Sequence, residues 1–239
     1  MVLDTSTPSL ARAYDYLLGG GASFAADRAL AGRMTELYPM LKDQLRSSRT
    51  YAAASIAHIA RQGVGQYLDI GSGLPTRPST HEIARSLMPG ARVVYADRDP
   101  AVVEHGAALV PPGVRYVTGD LTEPESLLSL PEVSGATAAA GFIDFSRPVC
   151  VVLGLVVQAL DPGTARAVVG VLVRALAPGS YLVVTAGAGE PGRLPDSIWP
   201  GGLSAPDLAS FLGGLDQVPP GITQGDVLCA TGRKPQPRG

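Results

Sequence analysis

From Gln66 onward the chain alternates short, wholly apolar runs with amphipathic stretches, and few architectures satisfy that rhythm. Tyr67–Ile70, Val93–Ala96, Val114–Thr118, Val149–Leu155 and Tyr181–Thr185 each read as a strand buried on both faces. Helical patterns fall between them near Thr80–Met88, Pro100–Leu109, Pro124–Leu130 and Thr164–Leu176. Strand and helix taken in turn predict an α/β fold built on a parallel sheet covered on both sides. A helix at Ala205–Leu212 and strands at Gly213–Val218 and Val227–Thr231 close the pattern.

The front third is helical instead. Thr7 is expected to cap a first helix that has Pro8 at its first position, runs over Pro8–Leu18 and ends on Gly19-Gly20-Gly21. Further helices are expected at Phe24–Tyr38 and Met40–Gln62, the last with Leu41, Leu45, Ala52, Ile56 and Ile59 on one face. The chain therefore reads as one domain: residues 1–63 a helical cap, 64–232 the core, 233–239 a flexible tail. Ser134–Gly141 and Gly187–Leu203 are expected to be mobile.

Composition narrows the class. A hydrophobic share of 46% and a charged share of 17% belong to a packed globular chain. A net charge of −2 gives no grip on nucleic acid or anionic lipid. The start MVLDTSTPS has no basic stretch leading into an apolar core, and Val149–Leu160 is too short to cross a bilayer. Cys150 and Cys229 lie in apolar runs and read as inert core thiols, which suits a reducing cytoplasm. His58, His81 and His105 lack partners at metal-ligand spacing, so no metal is expected.

The chemistry gathers at strand ends. In Gln66-Tyr-Leu-Asp-Ile-Gly-Ser-Gly-Leu-Pro75 an apolar strand delivers Asp69 and then turns on Gly71 and Gly73, with Ser72 between them. A dinucleotide loop would need a third glycine where Thr76 stands, and no Gly-Lys-Ser/Thr follows. A carboxylate just before the turn repels a pyrophosphate but suits the cationic amino-acid end of S-adenosyl-L-methionine. The next strand ends in Asp97, placed to take ribose hydroxyls. The third ends in Gly119-Asp120-Leu121, where Asp120 can accept an adenine amino group and Leu121 can lie against the ring. Ser79-Thr-His-Glu82 forms a capping box that fixes the start of the intervening helix.

With these motifs on the page, the sequence resembles the actinobacterial S-adenosylmethionine-dependent methyltransferases of the domain-of-unknown-function 574 type. PSLARAYDYLLGG, FAADRA, YLDIGSGLPT with HEIA, ARVVYADRDPAVVEHGAAL, GDLTEPESLL, DFSRPV and LAPGSYLVVT carry the likeness from Pro8 to Thr185. The resemblance implies a class I, Rossmann-like fold with a seven-stranded, mostly parallel sheet and an N-terminal helical cap. It places Asp69, Gly71, Ser72 and Gly73 at the methionine end, Asp97 at the ribose, and Asp120 and Leu121 at the adenine. It also implies that Arg12, Tyr14 and Asp15 of the first helix cover the cofactor.

The chain departs from that family in four places. Gly20-Gly-Ala-Ser23 replaces Gly-Lys-Asp-Asn, and Ser48-Arg49 replaces an Asn-Arg pair. Gln158-Ala-Leu-Asp-Pro162 replaces His-x-x-Pro-Asp, and Ala186–Leu203, with Trp199, is a short loop in place of a helical excursion. Gln158 and Asp161 are the expected catalytic residues on the acceptor side. The expected function is methyl transfer to a small molecule, in secondary metabolism. The alternative is a repurposed or inactive fold of this type, doing another reaction or serving as a heteromer subunit. The altered cap and the shortened 186–203 region would then be where the chain meets a second copy or a different partner.

Overall fold

The computed structural model describes residues 5–134, 142–188, 202–223, 225 and 227–237. Most of Ser134–Gly141 and Gly187–Leu203, Trp199 included, lies outside them, so the expectation of mobility there stays an expectation. Three helices come first: α1 (Leu10–Leu17), α2 (Ala25–Leu37) and α3 (Leu41–Arg61). Then β1 (Gln66–Ile70), α4 (Thr80–Leu87), β2 (Arg92–Asp97), α5 (Pro100–Leu109), β3 (Val114–Thr118) and α6 (Pro124–Ser129) follow. The second half comprises β4 (Cys150–Gly154), α7 (Pro162–Ala175), β5 (Tyr181–Gly187), α8 (Ala205–Phe211), β6 (Asp216–Gln217) and β7 (Val227–Arg233).

The seven strands form one sheet in the order β3-β2-β1-β4-β5-β7-β6, with β1 to β5 parallel and β7 antiparallel between β5 and β6. This is the class I methyltransferase fold. Both faces of the sheet are buried, which explains the unbroken apolar runs. Leu68, Val94, Val151, Leu182 and Ala230 face α7 and α8. Tyr67, Val93, Cys150, Val183 and Cys229 face the C-terminal half of α3. Burial pushes both cysteine thiols up, Cys229 to about 11, so neither ionises near neutrality.

Helix α3 belongs to two bodies. Its Ile56, Ile59 and Ala60 pack on the sheet, whereas Leu41 and Leu45 join Ala13, Leu17, Ala31 and Met34 in the core of the cap. A single rigid helix therefore sets the position of the cap over the strand ends. The tail boundary also shifts, because β7 reaches Arg233 and Lys234 is held. The Lys234 N–H donates to the Ser180 carbonyl at 2.8 Å, and its ammonium donates to the last carbonyls of α7.

The start of α1 differs from the sequence reading. Helix begins at Leu10, and neither Thr7 nor Pro8 belongs to it. The Asp27 carboxylate of α2 takes the Ser9 N–H at 2.7 Å, which fixes the chain where it enters α1, and no side chain among the described residues caps the helix itself. Asp27 also accepts the Phe24 N–H at 2.8 Å and the Arg12 Nε–H at 2.7 Å. Arg12 and Asp27 are both buried, with side-chain exposures of 4% and 0%. Burial alone would raise the Asp27 pKa, but the three donors outweigh it and hold the carboxyl below its ordinary range.

Removing one member of a buried, hydrogen-bonded ion pair typically costs about 3–5 kcal/mol, because the other charge is left uncompensated. Arg12→Met is expected to lower unfolding stability by roughly that amount in urea titrations. A loss below about 1 kcal/mol, the size of a surface pair, would mean that this pair does not hold the cap together.

Candidate functional site

The sheet order reverses between β1 and β4, so the chain leaves these two strands in opposite directions and opens a crevice beyond their carboxyl ends. A cavity of about 330 Å³ fills that crevice, within the usual range for small-molecule sites. Asp69 and the Gly71–Gly73 bend line it from β1, Asp97 from β2, Asp120 and Leu121 from beyond β3, and Gln158 from beyond β4. The cap adds Tyr14 from α1 and Arg49 from α3. Three aspartates from three successive strand ends thus meet in one place, as their order in the chain suggested.

The bend is tied down by its neighbour. The Ala96 carbonyl takes the Gly71 N–H at 2.8 Å and the Ser72 N–H at 3.1 Å, and the Asp97 carboxylate takes the Gly73 N–H at 2.9 Å. All three loop donors are therefore spent inside the protein. At Gly71 the backbone has φ +66°, and a Cβ would stand 2.4 Å from Val156 Cγ2. Only glycine meets both conditions. Tyr116, stacked on Tyr95 with ring centroids 4.8 Å apart, donates its hydroxyl to the Gly73 carbonyl at 3.1 Å.

Each carboxylate keeps capacity for a ligand. Asp69 is buried, and burial raises its pKa to about 6, against the pull of the Thr80 hydroxyl (2.6 Å) and Arg49. Asp97 is also raised by burial, although N–H groups of Asp99 and Gly73 oppose the shift. Asp120 is lowered, chiefly by the Thr122 N–H, and both Thr122 donors fall on the same oxygen, Oδ1. Its other oxygen takes no hydrogen bond among the described residues. The Tyr14 phenol is pushed up to about 12 by burial and stays protonated.

Three expected site residues lie elsewhere. Arg12 is consumed by Asp27 and by the Thr7 carbonyl at 2.9 Å, so it braces the cap and does not reach the cavity. Asp15 is buried behind the wall, accepting the Thr76 hydroxyl at 2.7 Å and the Ala22 N–H at 3.2 Å. Asp161 is exposed and caps α7 by accepting the Gly163 and Thr164 N–H groups, both at 3.0 Å, so a catalytic role for it is withdrawn. Gln158 does line the cavity and is 4% exposed. Its Oε1 accepts the Gly187 N–H at 2.5 Å, while Nε2 has no partner among the described residues.

Sequence reasoning missed Arg49. Its signal was present: with Leu45 and Ala52 on the buried face of α3, positions 48 and 49 fall on the same stripe. An arginine there must find polar company, and Arg49 donates through Nη2 to the carbonyls of Thr76 and Pro78. A second hollow, of about 440 Å³, lies at the amino edge of the sheet between Gln66, Arg92 and Tyr181. Its Arg92 donates to the Phe142 carbonyl at 3.1 Å and its Arg233 lies over the Tyr181 ring, and none of the three strand-end aspartates lines it. Among the described residues no group of three or more His, Cys, Asp or Glu side chains is placed to hold a metal, and no helix is long and apolar enough to cross a membrane.

Known proteins resemble this chain over nearly its whole length. A family model described as S-adenosyl methyltransferase matches residues 1–234. A candidate methyltransferase from Thermobifida fusca is 35% identical, with a TM-score of 0.84 over 98% of this chain and 97% of that one. A domain-of-unknown-function 574 family protein from Streptomyces avermitilis is 30% identical, with a TM-score of 0.82 over 98% of this chain and 100% of that one. The N-methyltransferase NodS from Bradyrhizobium japonicum, in complex with S-adenosyl-L-homocysteine, is 16% identical at a TM-score of 0.51, covering 79% of this chain and 88% of that one. That last likeness concerns the fold alone. A search of curated proteins found no match.

Two substitutions check the site. Gly71→Ala is expected to cost about 2–5 kcal/mol, the sum of a left-handed backbone and an overpacked contact. Adding Val156→Ala should recover the overlap but not the backbone part. Full recovery in the double variant would show that φ at position 71 is not constrained. Asp161→Ala should lower the unfolding midpoint while leaving ligand affinity unchanged; a fall in affinity would restore Asp161 to the site.

Proposed function

The chain belongs to the S-adenosyl methyltransferase family, and on that premise we propose that it binds S-adenosyl-L-methionine in this cavity and methylates a small molecule. The observation that carries the reading is the meeting of Asp69, Asp97 and Asp120 around one glycine bend whose N–H groups are already used. An anionic phosphate at the bend would find three negative side chains nearby and the N–H groups of Gly71, Ser72 and Gly73 already taken, with Arg49 and Arg98 the cations of the wall. A cationic adenosyl ligand finds complementary charge.

In this reading Asp69 faces the ammonium of the methionine end. Asp97 keeps lone pairs for ribose hydroxyls, since each carboxylate oxygen accepts more than the one N–H it now holds. Asp120 offers its unused oxygen to the adenine amino group, and Leu121 and Val102 supply apolar wall. When bound, the cofactor supplies a methyl group already activated by a sulfonium. The chain's part is to hold the two reactants in line and keep water out.

The cavity wall carries no histidine, lysine or cysteine among the described residues. Tyr14 holds its proton to about 12. The acceptor would therefore bring its own lone pair or arrive deprotonated, and Gln158 would orient it through its unpaired Nε2. The size of the cavity and the net charge of −2 support a small molecule over a nucleic acid. Secondary metabolism and a cytoplasmic setting belong to the same proposal, as does any pairing with a second chain through the cap or residues 186–203.

The shifted Asp69 gives a test with a definite sign. In the free protein its raised pKa favours the neutral acid: its contribution to stability is full below about 3.8 and lost as pH rises through about 6. A ligand ammonium reverses that preference, so cofactor binding should tighten as Asp69 ionises. The affinity for S-adenosylhomocysteine is expected to rise about tenfold between pH 5 and pH 7, with proton release on binding below about pH 6. Asp69→Asn should flatten the profile. Calorimetry showing no binding at millimolar ligand at either pH would sink the proposal.

A further inference from the structure

We propose that Arg49 recognises the carboxylate of the ligand's amino-acid end, so that the cavity reads a zwitterion between Asp69 and Arg49. This rests on the cofactor reading above and adds a residue that decides which adenosyl ligands are accepted.

A bound methionine end carries an anion as well as a cation, and the usual donors for the anion are absent. The N–H groups of Gly71 and Ser72 are taken by the Ala96 carbonyl, and that of Gly73 by Asp97. Arg12, the basic residue of α1, is locked to Asp27. Arg98 also lines the cavity, but it interacts electrostatically with Asp97 and Asp120, at the other end of the carboxylate row. Arg49 is the cation that interacts electrostatically with Asp69 and Tyr14.

Arg49 is also prepared for the task. It lines the cavity, half-buried, and makes no ion pair within 4.0 Å among the described residues. Its Nη2 is anchored to the carbonyls of Thr76 and Pro78. A guanidinium has five N–H donors in a fixed fork, so anchoring one nitrogen leaves Nε and Nη1 able to meet a carboxylate. Thr76 is itself fixed by Asp15 at 2.7 Å, so the anchor does not swing. Donors held in place before binding lose little freedom when the ligand arrives.

Calorimetry with three probes tests this near neutral pH: S-adenosylhomocysteine, its decarboxylated analogue 5′-(3-aminopropylthio)-5′-deoxyadenosine, and 5′-methylthioadenosine, which lacks the whole amino-acid end. The wild-type protein should prefer S-adenosylhomocysteine over the decarboxylated analogue by roughly 10- to 100-fold, the range of a charge-assisted hydrogen bond. Arg49→Met should reduce that ratio to within about threefold, the ratio being read within one variant so that any general loss from releasing the Thr76 and Pro78 carbonyls cancels. A ratio preserved in Arg49→Met overturns the proposal. So does a wild-type ratio near one, which needs no variant and decides the matter even if Arg49→Met does not fold. Methylthioadenosine binding with a flat ratio removes only the role of Arg49; no binding of any probe removes the cofactor reading itself.

Discussion

The site depends on one tether between strands. Ala96 and Asp97, at the end of β2, absorb every N–H of the bend that follows β1. Glycine-rich turns of this class often present such donors to an anion. Here the protein supplies the anion itself, and the Asp97 carboxylate sits where a phosphate oxygen would otherwise be received. The sign of the cavity is thereby inverted. A loop that could have been a phosphate cradle becomes a rigid, negatively lined corner, and the proposal of a cationic cofactor rests on that inversion more than on the glycines.

A second chain of contacts fixes the cap over this corner. Asp15 holds the Thr76 hydroxyl from α1, and Arg49 holds the Thr76 carbonyl from α3. The stretch between the bend and α4 is thus clasped by two cap helices. Helix α3 transmits this to the sheet, since its far half is part of the sheet's own core. The cap and the core share one load path through α3, so the boundary at residue 63, in the turn between α3 and β1, divides segments that pack against each other.

The strand-and-helix rhythm made the sheet legible, and so did the three aspartates, because position along a parallel strand fixes which side chains reach its carboxyl end. The Ser79–Glu82 capping box was legible for a local reason: its 2.9 Å bond spans three residues. What could not be read were contacts between distant segments. Thr7 looked like a cap because nothing in the sequence shows that Asp27, eighteen residues beyond Ser9, takes that backbone N–H. Arg12 and Arg49 are both arginines on cap helices, and only the pairing of Arg12 with Asp27 decides which remains for the cavity. Asp161 was placed on the acceptor side by its position after β4, yet its carboxylate is turned to the α7 N-terminus, the strongest local partner available to it.

The cavity wall that carries Gln158 is shaped by an unusual residue at the end of β4. Leu155 has φ +56°, a left-handed conformation that a branched aliphatic residue adopts only when its surroundings compel it. Its N–H is taken by the Thr185 carbonyl at 2.9 Å and approaches the Thr185 hydroxyl at 3.2 Å, and that hydroxyl shares a 2.7 Å hydrogen bond with Ser48 of α3. Its side chain meanwhile packs against both the sheet core and the cap core. The kink turns the chain abruptly from strand into the short 3-10 turn Val157–Ala159, which carries Gln158 to the cavity wall. Ser48, one of the departures from the family pattern, is thus tied to the turn that places Gln158, and Arg49 beside it holds the stretch between the bend and α4. Two adjacent residues of one helix couple the two halves of the site.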